Sequence, residues 1–420
     1  MTVMKKSLIY CTNFYPGDLY SEKAFADPEL HALSRFFDRI VILPLDDAGR
    51  AKGYADMLPD GITADWSLVE DRMQHSRLLK LIYIFHPFVL RSLRMMLGEA
   101  SGLRQWVKGL YQAISTVTTA RVIRKVARRN NMHPDYTTLY SLWFHNSGAA
   151  TAYLGEQEGY CVVVRGHTSD IYDDRMLFRS RRVRERLLDS IDAVLCISSR
   201  GREYLADRFP RHKDKFHVAH LGSPRLYTPG KHAATPERVE LVTVARLDPV
   251  KRIDRIIDVL GLVADANPDR QITYTVIGDG ECLESLREKA TECKRPNMRI
   301  DFTGALANED IQRRYADNAP DWYIMMSKTE GIPISMCEAM SYGIPVITND
   351  VGEITELVTP DCAIIFSKDI TPRACADLIG DRIFDTSLRT RMGQAARTRW
   401  QSEFDANEQA AQTGRLISNL

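Results

Sequence analysis

The chain has 420 residues, of which 44% are hydrophobic and 26% are charged. This composition excludes a disordered, collagen-like or low-complexity chain, and the length predicts two domains that each bury a core. Because 56 Lys and Arg residues nearly balance 55 Asp and Glu residues, the net charge of +1 argues against a dedicated nucleic-acid-binding protein. The eight cysteines show no zinc-like spacing, so we expect buried thiols in a reducing cytosol.

The first predicted strand is SLIYCTNFY, which ends at a Pro-Gly turn at residues 16–17. This apolar run follows two lysines but is too short for a secretory signal. The longest apolar window, residues 79–90, is shorter than the roughly 20 residues that a membrane-spanning helix needs. A lysine, a histidine and a proline also interrupt it. We therefore expect a cytoplasmic protein without a membrane span.

A basic stretch follows between Arg72 and Arg129, which contains twelve Lys or Arg residues and only one acidic residue, Glu99. The same stretch is rich in Leu, Ile, Phe, Trp and Met, which is typical of amphipathic helices. We predict a basic helical insertion at about residues 66–130. Its charge fits two interpretations: a solvated helical face, or a surface for phosphates or for the anionic inner face of the cytoplasmic membrane, where the protein would be peripheral.

Outside this insertion, strand-like apolar runs alternate with helical patterns, as in βαβ units with mostly parallel sheets. These runs are RIVILPL (39–45), TTLYSLW (137–143), CVVVRG (161–166), AVLCIS (193–198), VELVTVA (239–245), ITYTVIG (272–278), MRIDFTG (298–304), DWYIMM (321–326), IPVITN (344–349) and CAIIFS (362–367).

A segment rich in Pro, Gly, Thr and Ser, residues 221–239, is the best candidate for an interdomain linker. We therefore predict an α/β chain of two αβα sandwiches. The N-terminal domain spans residues 1–220, and the C-terminal domain spans residues 221–400. A final helix, residues 401–420, returns towards the N-terminal domain.

The most informative stretch runs from Lys328 to Val358. Glu330 stands directly before the turn Gly331-Ile332-Pro333 and a helix N-terminus, whereas Glu338 falls inside that helix. Free N–H groups and the helix dipole at such a site suit an anion such as a pyrophosphate. Two glutamates alone could be ordinary surface charges, but the order strand, turn, helix and buried strand favours a binding site.

This stretch resembles the Glu-x7-Glu signature of retaining glycosyltransferases of the GT-B fold, particularly glycosyltransferase family 4, the bacterial polysaccharide-type group 1 enzymes. VTVARLDPVKRIDRIIDVL (242–260) is similar to the family segment in which an Arg and a Lys hold the donor diphosphate, here Arg246 and Lys251. Residues 274–290, which include Gly278, and residues 300–327 follow the family pattern in order. The resemblance covers most of residues 160–410.

Two elements of the first half also resemble this family. VVVRGHTSDIYDDR (162–175) is similar to its RxHGxDLY element, with His167 on the His and Thr168 in place of the usual Gly. A buried core histidine is the alternative interpretation. Gly17 lies where the family often has two glycines in a loop that approaches the donor phosphates, but Asp18 replaces the second. An ordinary Pro-Gly turn is nearly as plausible there.

The resemblance implies two Rossmann-like domains facing a central cleft, with the acceptor bound by the first and the nucleotide sugar by the second. Transfer from a nucleotide sugar expels a diphosphate, which fixed cations and N–H donors stabilise. In the family, the first Glu contacts donor sugar hydroxyls and the second contacts the ribose. The implied catalytic residues are His167, Arg246, Lys251 and Glu330, and the implied donor-binding residues are Gly17, Arg246, Lys251, Gly278, Gly331, Ile332, Pro333 and Glu338.

We expect no metal, because the pairs Asp46-Asp47 and Asp173-Asp174 lack the Asp-x-Asp context of metal-dependent transferases and fit loop or helix-cap roles. A dehydrogenase is disfavoured, because its GxGxxG motif is approached only at Gly278-Asp279-Gly280, which lacks the third glycine.

The sequence therefore predicts a retaining, metal-independent glycosyltransferase that needs no cofactor besides a UDP- or GDP-linked sugar. Its expected acceptor is a glycan or lipid-linked oligosaccharide of bacterial surface polysaccharide, such as capsule, O-antigen or exopolysaccharide. A nucleotide-sugar 2-epimerase of the same fold and an inactive membrane-surface scaffold are the alternatives.

Overall fold

The computed structural model describes residues 6–16, 22–45, 58–74, 79–100, 102–173, 180–230 and 235–420. The chain divides into two compact units. The N-terminal unit comprises Met1–His220 together with Asn407–Leu420, and the C-terminal unit comprises Leu221–Ala406. Each unit is built on its own parallel sheet, so the expectation of two αβα sandwiches is confirmed.

The sheet of the N-terminal unit has the order β3-β2-β1-β4-β5-β6-β7 among the described residues, and all of its neighbouring strands pair in parallel. Its strands are β1 (Ser7–Thr12), β2 (Arg39–Pro44), β3 (Ile62–Ala64), β4 (Thr137–Ser141), β5 (Cys161–Gly166), β6 (Ala193–Cys196) and β7 (Phe216–Val218). Strand β1 is buried along its whole length, as expected for a central parallel strand covered on both faces.

Helices cover this sheet, and several begin at residues that cap them well. The helices are α1 (Glu22–Leu33), α2 (Ser67–Gln74), α3 (Pro87–Met96), α4 (Gly102–Arg129), α5 (Ser147–Glu158), α6 (Thr168–Ile171), α7 (Arg181–Asp189), α8 (Ser199–Arg208) and α16 (Ala406–Ser418). The side chain of Ser198, for example, accepts the N–H of Gly201 at 3.0 Å, which satisfies one of the free amide groups at the start of α8. Short 3₁₀ turns add Leu79–Phe85, Pro134–Tyr136 and Pro210–Lys215.

The sheet of the C-terminal unit has the order β10-β9-β8-β11-β12-β13. Its strands are β8 (Arg238–Val244), β9 (Gln271–Ile277), β10 (Met298–Gly304), β11 (Trp322–Met325), β12 (Val346–Asp350) and β13 (Ala363–Ser367). Its helices are α9 (Ile253–Ala266), α10 (Leu283–Glu292), α11 (Asn308–Asp317), α12 (Ile334–Ser341), α13 (Ile354–Leu357), α14 (Pro372–Ile379) and α15 (Thr386–Arg399), followed by a π turn at Trp400–Phe404.

The last helix, α16, belongs with the N-terminal unit from Asn407 onwards. Gly414 lies so close to the Phe36 ring that an added Cβ would stand 2.6 Å from it. Near the chain end, the Lys6 ammonium donates a hydrogen bond of 2.8 Å to the carbonyl oxygen of Ser418. The terminal helix therefore packs on the first sandwich, and it begins at Ala406, five residues later than position 401.

A buried polar network holds the first sandwich together between α1 and the sheet. The Glu29 carboxylate accepts hydrogen bonds from the Tyr10 hydroxyl at 3.0 Å, the Tyr140 hydroxyl at 2.7 Å and the Arg165 guanidinium at 2.5 Å. Arg165 also donates to the carbonyl oxygen of Ala219 at 2.9 Å. Because each charge in this network has a partner, the two ions can remain in a dry core.

Two features of the fold were not expected from the sequence. Strands β3 and β7 have three residues each, which is too short for an alternating pattern, and they form by pairing with β2 and β6. The expectation of uniformly buried cysteines is wrong for Cys161, Cys282 and Cys293, which are only partly buried, although all eight cysteines are unpaired thiols. No helix in the described part of the chain is long and apolar enough to cross a bilayer.

Candidate active site

The order of strands in the C-terminal sheet reverses between β8 and β11, which are direct neighbours. The chain proceeds outwards on one side through β9 and β10, and on the other side through β12 and β13. The loops that leave the carboxyl ends of β8 and β11 therefore diverge and open a crevice between them. Ligands of open α/β sheets bind at such switch points. Six of the predicted catalytic or donor-binding residues lie on these two loops, residues 245–252 and 326–333: Arg246, Lys251, Glu330, Gly331, Ile332 and Pro333. Gly278 instead follows β9, and Glu338 lies in α12.

At this crevice the ammonium of Lys251 lies 2.6 Å from Oε1 of Glu330. The two side chains are 21% and 10% exposed, so the ion pair is partly shielded from water but remains accessible. Backbone hydrogen bonds join the two loops, since the N–H of Lys328 donates to the carbonyl oxygen of Val250 at 2.8 Å. Arg252 adds a bond from its Nε to the carbonyl oxygen of Met326 at 2.7 Å. The structure thus brings together two residues that are 79 positions apart.

Arg246 lies on the same loop as Lys251 but has a different partner. Its Nε donates to Asp248 at 2.9 Å, and its side chain is 73% exposed. Burial raises the pKa of Asp248 somewhat, but the hydrogen bonds from Arg246 and from the N–H of Val250 hold that pKa below its usual value. Lys251 is therefore paired with Glu330 in the crevice, whereas the largely exposed Arg246 is paired with Asp248 on its own loop.

Glycines make the close approach of these loops possible. Gly352 has φ +59°, and a Cβ there would lie 1.9 Å from the carbonyl oxygen of Glu330. Gly278 has φ +147°, and its Cβ would lie 1.8 Å from the carbonyl oxygen of Ala245. Any side chain at either position would push a loop of the crevice away. The sequence indicated Gly278 as a donor-binding residue, and the structure gives it a packing role against the β8 loop.

The turn Gly331-Ile332-Pro333 leads directly into α12. The carbonyl oxygen of Pro333 accepts the N–H groups of Met336 and Cys337, both at 3.1 Å, which starts the helix. The side chain of Ile332 is buried in the hydrophobic core of the unit. The earliest amide groups of such a helix have no acceptor within it and remain available to an anion.

Glu338 lies in α12 and is almost entirely buried. Its Oε1 accepts a hydrogen bond of 2.6 Å from the side-chain amide of Asn308. Gln312 in turn donates to Asn308 at 2.9 Å and accepts from the Tyr342 hydroxyl at 3.0 Å. Burial raises the pKa of Glu338 to about 7, although the Asn308 hydrogen bond opposes the shift. The carboxyl group therefore titrates near neutral pH.

The first sheet also reverses its order, between β1 and β4. The carboxylate of Glu22 binds the loop that leaves β1, accepting the N–H groups of Asn13, Phe14 and Tyr15 at 3.2, 2.6 and 2.7 Å. It also accepts the indole N–H of Trp143 at 2.7 Å, from the loop that leaves β4. Glu22 was not identified from the sequence, where it is simply the first acidic residue of a helix.

Gly17, a predicted phosphate-binding residue, lies outside the described residues, as do Asp46, Asp47 and Asp174. Asp173 is described, and its carboxylate forms an ion pair of 3.0 Å with Arg208. Within the described ranges, no cluster of three or more His, Cys, Asp or Glu side chains has the arrangement of a metal site.

His167 follows β5 and is buried against aromatic rings. Its ring stacks on Trp143 with centroids 4.2 Å apart, and its Nε2 lies 2.9 Å from the carbonyl oxygen of Leu142. That contact places the proton on Nε2. Burial, followed by the nearby charge of Arg165, lowers the pKa of His167 to about 3. The imidazole is therefore neutral throughout the physiological range.

A cavity of about 320 Å³ lies beside this edge of the first sheet. Polar side chains from the loops after β4 and β5 form one part of its wall, including His145, Asn146 and Asp170. Helices of the insertion supply another part, including Phe88 of α3 and Ala113 of α4. The sequence analysis singled out neither this cavity nor His145.

The polar part of the cavity includes one ring nitrogen, on His145, that has no hydrogen-bond partner in the described part of the chain. Nε2 of His145 lies 3.3 Å from Oδ1 of Asp170 but makes no hydrogen bond within the described structure. Asp170 accepts the N–H of Phe144 at 3.2 Å, and burial raises its pKa despite the opposing effects of His145 and the N–H of Phe144. Arg184 donates to the carbonyl oxygens of Asp170 and Ile171 at 2.6 and 2.9 Å.

Comparison with known proteins agrees with the fold. Residues 228–399, about two fifths of the chain, match the family model described as "Glycosyl transferases group 1". The chain is 24% identical over 310 residues to a GDP-mannose-dependent monoacylated alpha-(1-6)-phosphatidylinositol monomannoside mannosyltransferase of Corynebacterium glutamicum, covering 69% of this chain and 77% of that protein. It is 29% identical over 149 residues to the O-antigen biosynthesis glycosyltransferase WbnH of Escherichia coli, covering 35% of this chain and 38% of the relative.

Among solved structures, Anabaena HepE in complex with UDP superposes with a TM-score of 0.66 at 18% identity, covering 99% of this chain and all of that chain. Sucrose-phosphate synthase of Thermosynechococcus elongatus superposes with a TM-score of 0.68 at 15% identity, covering 99% of each chain. The expected GT-B fold of two Rossmann-like domains is therefore confirmed.

The titration of Glu338 leads to a test of stability. Because its pKa is raised on folding from 4.5 to about 7, the folded state is favoured fully below pH 4.5, and this contribution is lost as pH rises through 7. Glu338→Gln removes the buried charge and should stabilise the ligand-free protein at pH 8 by roughly 2–3 kcal/mol, with little effect near pH 4.5. Urea unfolding at both pH values measures this difference. An equal effect at both would show that Glu338 does not titrate in this range.

Proposed function

We propose that the protein is a retaining, metal-independent glycosyltransferase that moves a sugar from a nucleotide-diphosphate sugar to a glycan or lipid-linked saccharide. The observation that carries this proposal is the Lys251–Glu330 ion pair at the switch point of the second sheet. A cation and a carboxylate placed beside a helix N-terminus supply what a donor of this class needs. The match of residues 228–399 to group 1 glycosyltransferases supports the same assignment.

In the proposed reaction, the donor diphosphate enters the crevice and competes with Glu330 for the ammonium of Lys251. The positive charge then stabilises the negative charge that grows on the leaving diphosphate. Glu330, released from its ion pair, accepts hydrogen bonds from donor sugar hydroxyls. Arg246 is exposed enough to leave Asp248 and add a second cation, and the first amide groups of α12 add neutral donors.

Glu338 is proposed to bind the donor ribose. Hydrogen bonds from two ribose hydroxyls to the Glu338 carboxylate would favour its ionised form, which burial disfavours in the ligand-free protein. The donor nucleotide is proposed to be UDP or GDP. One solved relative of this fold binds UDP, and the corynebacterial relative is GDP-mannose-dependent, so both bases occur among similar proteins.

The cavity of the N-terminal unit is proposed to receive the acceptor sugar. Its volume of about 320 Å³ is at the lower end of the usual size of small-molecule sites, which suits one or two sugar rings. Aromatic walls at Phe88 and Phe144 offer apolar contact, while His145, Asn146 and Asp170 offer hydrogen bonds to hydroxyls. The Arg184 guanidinium already binds two backbone carbonyl oxygens, so the site suits a neutral saccharide better than a phosphate.

The neutral state of His167 restricts its proposed role. With its Nε2–H directed at a carbonyl oxygen, the ring cannot act as a general acid near pH 7. We propose that it orders the Trp143 loop beside the acceptor cavity, with its Nδ1 as the only remaining acceptor of the ring.

The acceptor end is proposed to belong to a bacterial surface polysaccharide or glycolipid made beside the cytoplasmic membrane. The relatives named above act on a phosphatidylinositol mannoside or function in O-antigen biosynthesis. Such an acceptor would be held at the membrane surface, where the enzyme would be peripheral.

The proposal predicts that the product keeps the anomeric configuration of the donor sugar and that EDTA leaves the rate unchanged. Proton NMR of the product formed from UDP- or GDP-sugars in EDTA checks both points. An inverted anomer, or activity that EDTA abolishes and manganese restores, would contradict the mechanism. Conversion of the donor to a 2-epimer without an acceptor would instead favour the epimerase.

Replacing the charged groups of the crevice tests their assignment. Lys251→Ala and Glu330→Ala should each lower kcat by roughly 10²–10³, the usual effect of losing one preorganised electrostatic contact, and Arg246→Ala should also lower it. A matched control exists in Arg299, whose Nε binds Asp301 at 2.9 Å, two positions along the chain, as Arg246 binds Asp248. Arg299→Ala should leave kcat unchanged. Rates near wild type in folded Lys251 and Glu330 variants would show that the donor site lies elsewhere.

Filling the N-terminal cavity tests the proposed acceptor site. Ala113→Leu adds three carbon atoms to a side chain that lines the cavity. We expect KM for the acceptor to rise by about ten-fold or more, because the added side chain occupies space needed by a sugar ring. Affinity for UDP or GDP, measured by calorimetry, should not change. An unchanged acceptor KM would place the acceptor outside this cavity.

A further inference from the structure

The exposed hydrophobic side chains of this protein are concentrated in one short part of the chain. Thirteen large hydrophobic residues are exposed among those described, and seven of them lie between positions 82 and 111, where their exposure ranges from 47% to 80%. The seven are Ile82, Phe85, Leu90, Leu97, Leu103, Val107 and Tyr111. Single exposed hydrophobic residues are common, but a cluster usually marks an interaction surface.

Helix geometry places these residues on shared faces. Leu103, Val107 and Tyr111 are four positions apart along α4, so they follow one stripe of that helix. Helix α3 packs against α4, and the Leu79–Phe85 turn packs against both. A groove lined by Leu90, Leu97 and Trp106, among others, joins the outer faces of α3 and α4. We call this set of seven residues the apolar face.

Basic residues accompany the apolar face. Arg91 and Arg94 belong to the groove, and Arg104 and Lys108 stand beside the Leu103 stripe on α4. Between residues 79 and 120 the sole acid is Glu99, which accepts a hydrogen bond from the Ser180 hydroxyl at 2.6 Å. Hydrophobic side chains with a cationic border are the composition of a segment that lies in the interface of an anionic bilayer.

The basic residues at the C-terminal end of α4 contact other residues of the N-terminal unit. Arg121 donates to the Tyr83 hydroxyl at 2.9 Å, Arg124 pairs with Glu158, and Arg129 pairs with Asp65. These three charges are partly satisfied within the N-terminal unit. The dense positive charge near residue 125 therefore helps to hold the insertion on its own domain. Arg91 pairs with Glu156 at 3.4 Å in the same way, so Arg94, Arg104 and Lys108 are the cations beside the apolar face that are better placed for an external partner.

We propose that the apolar face on α3, α4 and the Leu79–Phe85 turn docks on an anionic membrane surface, inserting its hydrophobic side chains among the lipid headgroups. This deepens the proposed function, since it states which surface faces the membrane that carries the acceptor. It refines the expectation that the basic stretch between Arg72 and Arg129 meets an anionic membrane surface. Docking holds the enzyme at the interface reversibly, through side chains on helices that lie along it.

Vesicle co-sedimentation of the full chain tests the proposal. With phosphatidylcholine vesicles containing phosphatidylglycerol, the wild type should sediment at low salt, and sedimentation should weaken with added salt and with phosphatidylcholine alone. The triple variant Phe85→Ser, Leu103→Ser and Val107→Ser should lose affinity by at least about ten-fold. The exposed hydrophobic residues Leu378 and Leu420, changed to Ser, serve as the matched control and should have no effect.

A second comparison separates the cations beside the apolar face, on α3 and the start of α4, from those at the C-terminal end of α4. Arg94→Gln, Arg104→Gln and Lys108→Gln together should weaken binding by about ten-fold or more at low salt, because each cation near an anionic surface contributes to attachment. Lys125→Gln with Arg128→Gln removes exposed charges from the same helix and should have a clearly smaller effect. Circular dichroism and calorimetric titration with UDP and GDP confirm that each variant is folded.

Three results would overturn the proposal. The first is that the wild type does not bind anionic vesicles at low salt. The second is that the apolar triple variant binds them as well as the wild type does. The third is that the wild type does not bind vesicles but is a dimer, which the triple variant converts to a monomer. The last result would identify the apolar face as an interface between two copies of the chain. Because vesicle binding needs no turnover, a failure here leaves the transferase assignment intact, and a failed transferase assay leaves the vesicle result intact.

Discussion

The active-site hypothesis depends on one ion pair, that between Lys251 and Glu330. A partly buried carboxylate is costly unless a cation or several hydrogen bonds compensate it, so each member of this pair stabilises the charge of the other. The pair can form because neighbouring parallel strands send the two loops out in opposite directions at the same edge. In the proposed reaction, a donor diphosphate would replace Glu330 at Lys251. The freed carboxylate would then accept hydrogen bonds from sugar hydroxyls.

The N-terminal unit carries different charged and polar side chains at the carboxyl edge of its sheet. Glu22 collects three backbone N–H groups and one indole N–H, so a single carboxylate fixes the loops after β1 and β4. Glu29 is neutralised by Arg165 deeper in the core. Both acids are therefore satisfied within the unit. In the proposed function, the cavity at this edge would take a neutral saccharide, whereas the crevice of the second unit would take an anionic diphosphate.

The sequence predicted much of this arrangement because parallel strands buried on both faces appear as short apolar runs. Each of the ten apolar runs and the initial SLIYCTNFY run overlaps one strand of the structure. Family resemblance assigned Lys251 and Glu330 to one donor site, but their ion pair was not predicted, because no local pattern connects residues 79 positions apart. The requirement for glycine at position 352 was not predicted. The group that leaves no room for a Cβ there is the carbonyl oxygen of Glu330, which is a neighbour only in the folded chain. His145 and Glu22 likewise acquire their roles from contacts across the sheet.

His167 shows how burial changes a prediction based on residue type. Histidine is the side chain whose ordinary pKa best suits acid–base chemistry near neutral pH, yet burial, followed by the nearby charge of Arg165, lowers the pKa of His167 and keeps its ring neutral. The sequence could place the residue at the correct edge of the sheet. It could not supply the dielectric environment, which depends on aromatic side chains from the loop after β4 and from α1.

The insertion between β3 and β4 matched no family segment, and it supplies two surfaces with different composition. Phe88 and Ala113 contribute from α3 and α4 to the cavity wall, whereas Leu90 and Val107 on the same two helices are exposed. A helix needs only one apolar stripe to pack on its domain, so a second, exposed stripe is not explained by folding. Because one pair of helices carries both surfaces, an acceptor sugar in the cavity would lie within a few helical turns of any lipid that the exposed stripe contacts. That proximity gives a membrane-anchored saccharide a short path to the edge of the sheet without a membrane-spanning segment.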